Sequence, residues 1–325
     1  MSQSEPLPGP HSSQTFNIIN SPPPPVVILN PAGANGKAKR LRRMLEERLR
    51  GGRGELVLTE GRGDGERLAR EAALAGRDVV AVGGDGTVLE VGSGILASGR
   101  RVAMGVVPSG NGNDYAFETA RLPHDPAVAL EVALTAEPVA MDAGQVNDRY
   151  FLNAMGVGLD ANVAAAAEGM KKLPFMRGQV LYYTASLREL MFHYGRCPFL
   201  DVTLDGEPRS GQLYAAAAVS IGPTYGGGFH INPDADPRDG LFSVCLIDKP
   251  GKLRALRLLP AVEKGTHITE REVHRFRVQT VTFAAQKTLY AHLDGEIIRA
   301  NRFEARILPG ALLVRLPTGA AGQRG

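Results

Sequence analysis

Residues 79–87 constrain the fold of this chain more than any other segment. The apolar run Val-Val-Ala-Val at residues 79–82 leads directly into Gly-Gly-Asp-Gly-Thr, in which the acid is Asp85. A short apolar run that ends in glycines is typical of a buried parallel strand followed by a tight turn. Because glycine lets the backbone approach a ligand and point several N–H groups at it, the turn predicts a phosphate site. Asp85 is well placed there to meet a metal-bound phosphate.

The first half of the chain alternates apolar runs with helical stretches. This alternation predicts a parallel sheet with helices on its faces, and hence an α/β domain. The predicted strands are residues 26–29, 55–59, 78–82 and 102–107, and the predicted helices are residues 38–50, 66–75 and 87–98.

Glycine-containing turns at residues 30–37, 83–87 and 108–114 follow three of these strands. The carboxyl ends of parallel strands meet at one crevice, where helix N-termini present free N–H groups and partial positive charge. Each turn taken alone is compatible with an ordinary loop, whereas three turns on one edge suit a nucleoside triphosphate. The Gly-x-Gly-x-x-Gly and Walker patterns are both absent, since Ala38 follows Lys37 where a hydroxyl is required. The site is therefore neither an ordinary dinucleotide site nor a P-loop.

After about residue 140 the chain consists of short apolar runs separated by turns. Many short strands at this spacing predict an antiparallel sandwich or barrel, with convincing helices only near residues 178–193 and 252–263. The predicted strands are residues 145–152, 199–204, 212–221, 242–247, 273–278, 280–283, 289–293 and 312–316. We therefore place a domain boundary near Asp142.

Charge and cysteine content bear on the class of protein. The 37 Lys and Arg residues against 34 Asp and Glu residues give a net charge of only +3, so no nucleic-acid partner is expected. Cys197 and Cys245 have no metal-ligand spacing, and we interpret them as reduced cytosolic thiols. No apolar run reaches the roughly 18–20 residues of a membrane-spanning helix. Residues 1–25, rich in Pro and Ser, predict a disordered arm rather than a signal peptide, and residues 318–325 a disordered tail.

A series of motifs runs from about residue 26 to residue 316. The motifs lie at residues 30–37, 83–87, 108–116, 153–161, 226–228, 239–241 and 294–296. In this order they resemble the diacylglycerol kinase catalytic-domain family, which includes bacterial soluble lipid kinases, sphingosine kinases and ceramide kinases. Gly-Gly-Asp-Gly-Thr is shared with NAD kinases, whereas the Asn113-Asp114 turn and the late Asp-Gly-Glu are more specific.

The resemblance implies an NAD kinase/diacylglycerol kinase-like fold. An α/β N-terminal nucleotide-binding domain with a parallel sheet would be followed by an all-β sandwich-like C-terminal domain. Residues 26–142 would bind ATP and residues 143–299 the lipid, with the active site in the cleft between them. The last strand, residues 300–317, would return to the first domain.

The resemblance also implies roles for single residues. Glu296 would act as general base on the lipid hydroxyl, with Asp294 beside it, while Asp85 and Asp114 would orient metal and phosphates. In an extended strand Asp294 and Glu296 would share a face, unless Gly295 bends it. The residues implied to line the nucleotide are Asn30, Pro31, Ala32, Gly33, Ala34, Thr59, Gly84, Asp85, Gly86, Thr87, Val88, Leu89, Glu90, Asn111 and Asp114. The implied Mg²⁺ loop of the second domain comprises Asp236, Asp239 and the Leu241 carbonyl.

Some of these positions have plainer interpretations or depart from the family pattern. Without the resemblance, Asp294 and Glu296 are typical turn residues, and the Asp- and Pro-rich residues 234–240 are typical of a solvated turn. Leu89 stands where the family has Asn and cannot donate a hydrogen bond. Asn111 stands where the family has Thr, and its amide still can.

Together these observations predict an ATP- and Mg²⁺-dependent lipid kinase that transfers the γ-phosphate to the hydroxyl of diacylglycerol or a similar lipid. Its partners would be ATP and a lipid alcohol at a membrane surface, its location would be cytoplasmic and peripheral to the inner face of the membrane, and a homodimer stays open. The alternatives are an NAD kinase and a non-catalytic nucleotide or lipid sensor. The basic and apolar residues 171–177 are compatible with membrane contact, with a cap over the lipid cleft, or with a plain loop.

Overall fold

The computed structural model describes residues 23–34, 38–170 and 178–318. The predicted arm up to residue 22, the tail from residue 319, residues 35–37 of the first glycine turn and the segment 171–177 lie outside the described residues. At the end of the predicted arm, the Pro24 carbonyl accepts a hydrogen bond from the Arg77 side chain, and the Pro25 carbonyl accepts one from the Glu55 N–H, both at 2.9 Å. The chain is therefore held to the sheet just before the first strand.

Strands and helices alternate in the N-terminal domain, as predicted. The strands are β1 (Val26–Leu29), β2 (Glu55–Leu58), β3 (Val79–Gly83) and β4 (Ala103–Pro108), and the helices are α1 (Ala38–Arg48), α2 (Asp64–Leu74), α3 (Asp85–Ser98) and α4 (Pro126–Thr135). The strands are parallel and lie in the order β2-β1-β3-β4. Every residue of β3 is buried, because one apolar cluster covers each face of the sheet.

The C-terminal domain is antiparallel and β-rich. Its strands are β5 (Pro138–Val146), β6 (Arg149–Phe151), β7 (Ala154–Val157), β8 (Phe199–Leu204), β9 (Glu207–Ser220), β10 (Phe242–Asp248), β11 (Val273–Val278), β12 (Thr280–Leu293) and β13 (Glu296–Arg315). Its helices are α5 (Leu159–Met170), α6 (Gly178–Phe192) and α7 (Lys252–Glu263). The first part of β12 pairs with β8 and its last part with β7, so the sheet curls around a core that contains Phe151, Phe242, Phe283 and Phe303.

The structure corrects several details of the sequence interpretation, and one of them is the helix α4, which was not predicted. The expectation of only two helices after residue 140 is wrong, because the alanine-rich residues of α5 form a third, as their high helix propensity favours. The predicted strand 145–152 is two strands, since Asn147 adopts a φ of 50° and reverses the chain between β5 and β6. Residues 280–283 and 289–293 belong to one strand, β12, whose register against β13 shifts between Ala284 and Leu289.

The last strand joins the two domains. Along its length β13 pairs with β12 and with β5, and at its end Leu313 and Val314 pair in parallel with Ala103 and Met104 of β4. Asp142 supports this crossing, because its two carboxylate oxygens accept hydrogen bonds from the N–H groups of Gly240 and Gly310, each at 2.8 Å. The parallel and antiparallel sheets are therefore hydrogen-bonded into one continuous unit.

Gly105 of β4 provides a test of this packing. A Cβ at residue 105 would lie 2.6 Å from the Ala133 Cβ and 2.8 Å from the Ala133 carbonyl oxygen on α4. We expect Gly105→Ala to lower the free energy of unfolding by about 1–3 kcal/mol, because the helix must shift. Gly169→Ala, on α5 with open space around the added Cβ, is the matched control and is expected to raise it by about 0.4–1 kcal/mol. Urea denaturation measures both values, and equal stabilities of the two variants would contradict the packing described.

Candidate active site

A cavity of about 1060 Å³ lies between the two domains. One part is lined by the turns that follow β1, β3 and β4, among them Asn30, Gly84 and Asn111. The other part is lined by apolar side chains of the C-terminal domain, such as Val163, Leu181, Phe229, Ile231, Leu258 and Val262. A polar loop cluster and an apolar pocket thus share one cavity.

The glycine turns contact one another directly. A Cβ at Gly110 would lie 2.5 Å from the Gly84 Cα, so the backbones of the second and third turns touch, and glycine is required at this approach. The Asn30 amide donates to the Thr87 hydroxyl at 3.1 Å, which joins the first turn to the second. The Asn113 side chain accepts from the Gly110 N–H and donates to the Gly110 carbonyl, both at 3.0 Å. The three predicted turns therefore form one cluster.

The N-terminus of α3 faces the cavity. The helix begins at Asp85, and residues 84–87, which form its first turn, all line the cavity. A Cβ at Gly86 would meet no atom within 4 Å, so the space above this turn is open. The positive end of the helix dipole and its N–H groups are therefore available to an anion in the cavity.

Two neighbouring carboxylates lie beneath this helix end. Asp85 accepts hydrogen bonds from the N–H groups of Asn113 and Tyr115, at 2.8 and 3.3 Å. Asp114 accepts one at 2.7 Å from the N–H of Gly227, which belongs to the C-terminal domain. Burial raises the pKa of Asp85, while burial and then the charge of Asp85 raise the pKa of Asp114 to about 7. The pair therefore favours binding a proton or a cation.

Asp294 and Glu296 lie on either side of a tight turn, with φ angles of 48° at Asp294 and 92° at Gly295. The exception stated for Gly295 therefore applies, because Asp-Gly reverses the chain between β12 and β13 and the two acids do not lie on one extended strand. Asp294 accepts hydrogen bonds from the N–H groups of residues 152, 153 and 154, at 2.7, 3.0 and 2.7 Å. Burial raises its pKa to about 6. Glu296, at the start of β13, lines the cavity.

The sequence interpretation assigned no role to Arg62. Its guanidinium lies 3.1 Å from the Glu296 carboxylate, and the ion pair connects the turn after β2 to the C-terminal domain. Glu90 holds this turn, since its two oxygens accept from the N–H groups of Gly63 and Gly65 at 2.8 and 3.0 Å. Among the described residues that line the cavity, Arg62 carries the permanent positive charge. A lone Arg inside a glycine-rich turn after a parallel strand was the available signal.

Most of the residues implied to line the nucleotide do line the cavity. They are Asn30, Pro31, Ala32, Thr59, Gly84, Asp85, Gly86, Thr87, Val88, Leu89, Glu90, Asn111 and Asp114. Leu89 is a residue of α3 and also packs into the apolar core, which accounts for an apolar residue at this position. Gly33 and Ala34 end the short 3₁₀ helix Pro31–Ala34, and their side-chain surroundings lie outside the described part of the chain.

The residues of the implied Mg²⁺ loop of the second domain make hydrogen bonds and an ion pair within the protein. Asp239 accepts a hydrogen bond from the Leu241 N–H at 3.0 Å and is ion-paired with Arg277. Asp236 accepts from the N–H of Arg238 at 3.0 Å. Among the residues that the structure describes, no group of three or more His, Cys, Asp and Glu side chains is close enough to hold a metal ion. The contacts match the plainer interpretation as a hydrogen-bonded turn, and the metal loop stays a prediction.

Comparisons with known proteins agree with this architecture. Residues 24–146 match the family model of the diacylglycerol kinase catalytic domain, and residues 153–316 match the YegS C-terminal NAD kinase beta sandwich-like domain. The Chromohalobacter salexigens protein named "Probable lipid kinase YegS-like" is 35% identical over 267 residues, which cover 80% of this chain and 82% of that protein. The Bacillus subtilis protein named "Diacylglycerol kinase" is 28% identical over 235 residues, which cover 72% of this chain and 76% of that protein.

A solved structure shows the same fold. The crystal structure of a candidate diacylglycerol kinase from Bacillus anthracis str. Sterne superposes with a TM-score of 0.77 at 20% sequence identity. The match covers 94% of this chain and 99% of the other protein's chain. The family models and the relatives define a kinase, and its fold is an α/β domain followed by a β-rich domain. The chain belongs to the diacylglycerol kinase catalytic-domain family of lipid kinases, which confirms the resemblance inferred from its motifs. No helix among the described residues is long and apolar enough to cross a membrane.

The raised pKa of Asp114 predicts a pH-dependent stability. The folded protein binds a proton at Asp114 up to about pH 7, whereas an unfolded Asp releases it near pH 4. Stability is therefore lost as the pH rises between these values. Between pH 5 and pH 8 we expect the wild type to lose on the order of 2 kcal/mol more than Asp114→Asn, which has no proton to release. Urea unfolding of both proteins at the two pH values checks this, and parallel pH profiles would contradict it.

Proposed function

We propose that this protein is an ATP- and Mg²⁺-dependent lipid kinase that transfers the γ-phosphate of ATP to the hydroxyl of diacylglycerol or a similar lipid. The observation that carries the proposal is the shared cavity. The clustered glycine turns and the apolar pocket line one space, and Glu296 lines it as well. A phosphate donor and an apolar acceptor can therefore meet beside a carboxylate.

The nucleotide part of the cavity suits a triphosphate. The N-terminus of α3 and the adjoining turns offer backbone N–H groups and a positive dipole end, which hold phosphates without a P-loop. The Asn111 amide also lines this part, and it supplies a donor where the family has a hydroxyl. ATP as the phosphate donor follows from membership of a kinase family.

The carboxylate pair Asp85 and Asp114 fits a hard divalent cation. Both carboxyl groups have raised pKa values because they are buried close together, so a cation bound there would replace the proton that otherwise neutralises them. When bound, Mg²⁺ supplies charge neutralisation for the phosphates of the nucleotide. The chain itself positions the pair through the N–H groups of Asn113, Tyr115 and Gly227.

The apolar part of the cavity suits acyl chains. Its lining from α5, α6 and α7 is dominated by aliphatic side chains such as Val163, Leu181 and Leu258, which exclude water from a bound hydrocarbon. A nicotinamide dinucleotide presents polar groups along its length and would leave them unpaired against such a wall. This supports a lipid acceptor over the alternative of an NAD kinase.

Glu296 is the proposed general base. Its carboxylate lies at the edge of the C-terminal domain, lines the cavity and touches the nucleotide domain through Arg62. A carboxylate within hydrogen-bond reach of the acceptor hydroxyl takes its proton as the oxygen attacks the γ-phosphorus. Asp294 would support this step indirectly, because its three hydrogen bonds to residues 152–154 fix the turn that carries Glu296.

Replacement of the proposed base tests this assignment. We expect Glu296→Gln to lower the turnover number by about 10²–10⁴-fold, because the hydroxyl proton loses its acceptor. ATP affinity should change little, since the carboxylate belongs to the other domain. The measurement is transfer of ³²P from labelled ATP to membrane lipid extract, with ATP binding followed by calorimetry.

Glu304→Gln is the matched control for this experiment, because Glu304 lies on the same strand, is 61% exposed and pairs with Arg302. It should behave as wild type. Full turnover of Glu296→Gln would remove Glu296 from the mechanism. A wild-type protein that binds ATP and labels no lipid would favour the sensor, and one that phosphorylates NAD would favour the NAD kinase.

Arg62 is the proposed cation for the transferred phosphate. The pair with Glu296 leaves the guanidinium side chain 78% exposed, so breaking it costs little stability, about 0–1 kcal/mol. We expect Arg62→Gln to lower kcat/KM for ATP by about tenfold or more, because a planar guanidinium binds phosphate oxygens through paired hydrogen bonds. Steady-state kinetics with varied ATP, beside Arg70→Gln on the exposed face of α2, measures the effect. Unchanged kinetics in Arg62→Gln would show that the ion pair is only structural.

A further inference from the structure

Large apolar side chains are exposed at one corner of the C-terminal domain. Of the ten such side chains exposed in the described part of the chain, five are Met191, Phe192, Phe199, Leu213 and Leu253. Phe192 and Leu253 are each 77% exposed. We call these five residues the apolar corner. Single exposed apolar residues are ordinary on a protein surface, whereas a concentration of them marks an interaction site.

Hydrogen bonds and strand pairing bring the elements of the apolar corner together. The Lys252 ammonium donates to the Met191 carbonyl at 3.2 Å, which places the start of α7 beside the end of α6. Phe199 and Leu213 are directly opposite each other on β8 and β9. The Lys249 N–H donates to the Leu213 carbonyl at 3.0 Å, so the chain between β10 and α7 connects both pairs of elements.

The apolar corner adjoins the lipid part of the cavity. Leu190, which precedes Met191, and Ala255, two residues after Leu253, both line the cavity. Pro250 lines it as well, and its carbonyl accepts a hydrogen bond at 2.6 Å from the Tyr194 hydroxyl. The end of α6 and the start of α7 thus each contribute residues both to the apolar corner and to the lining of the cavity.

The charges at the apolar corner favour an anionic partner. Lys252 is exposed, and the Lys249 ammonium lies 5.2 Å from the centre of the Tyr194 ring. Asp248 is engaged by His274, and the buried Glu189 by His193. Asp201, two residues along β8 from Phe199, is an exposed acid on the same face, so the described part of this surface carries both Lys249 and Lys252 beside this one acid of β8.

We propose that the apolar corner docks onto the surface of a phospholipid bilayer that carries anionic head groups. The inference rests on the proposed function, since it names the place where the lipid acceptor enters the cavity from the bilayer. The exposed Phe, Leu and Met side chains insert at the boundary between head groups and acyl chains, and Lys249 and Lys252 contact the head groups. A lipid then reaches the pocket beside Leu190 and Pro250 without crossing water.

Vesicle binding tests the docking surface directly. We expect the wild type to float with vesicles of phosphatidylcholine and phosphatidylglycerol, and the double variant Phe192→Ser, Leu253→Ser to lose on the order of tenfold in affinity. The control is Leu74→Ser, Val128→Ser, which removes two exposed apolar side chains, 48% and 51% exposed, from the N-terminal domain. It should float as wild type does. Equal binding by both double variants, or no binding by the wild type, overturns the proposal.

A kinetic experiment separates docking from chemistry. With a short-chain diacylglycerol dissolved as a monomer, the Phe192→Ser, Leu253→Ser variant should keep wild-type turnover, while with the same lipid class in vesicles it should lose most of it. Loss of both activities with unchanged unfolding stability assigns these residues to substrate binding and overturns docking. A wild type that phosphorylates no lipid would contradict the proposed function, while flotation would still report on docking. Light scattering would report a dimer of the wild type. If the same variant dissociated that dimer, the occupant of the apolar corner would be a second copy of the chain, and the proposal of bilayer docking would be overturned.

Discussion

The hydrogen bonding of β13 is the constraint on which the rest of the structure depends. This strand belongs to the antiparallel sheet over most of its length and then adds in parallel to β4 of the N-terminal domain. Because both sheets share it, the walls of the cleft are set by backbone geometry rather than by a flexible linker. Asp142, through the N–H groups of Gly240 and Gly310, stabilises the chain where the two domains meet.

The pairing of the two sheets also brings three acidic side chains together in the cleft. The carboxyl groups of Asp85, Asp114 and Asp294 are held by backbone N–H groups at the wall of the cavity. Burial raises the pKa of all three, so the cleft without ligand carries less negative charge than its sequence suggests. A cation that entered together with a phosphate would favour the ionised form of these carboxyl groups. The cation and the carboxylates would then neutralise and orient the phosphate, as phosphoryl transfer requires.

Much of the fold was predictable from local pattern. The buried run of β3, the turns after β1, β3 and β4, and the limits of α7 all follow from apolar periodicity and glycine position. The helices α4 and α5 were not predicted, because their sequences show little of the polar–apolar periodicity that indicates a helix. The ion pair of Arg62 was not predictable either, since its partner Glu296 lies 234 positions later in the chain.

The sequence by itself determined which residues form strands, where the glycine turns lie and which family the motifs define. These properties depend on neighbouring residues, and side-chain pattern and glycine placement encode them directly. Only the tertiary structure decided that Asp294 supports a turn while Glu296 faces the cavity, and that the apolar pocket and the glycine turns form one space. Those outcomes depend on contacts between distant segments, and the long-range pairing of strands such as β13 with β4 creates them.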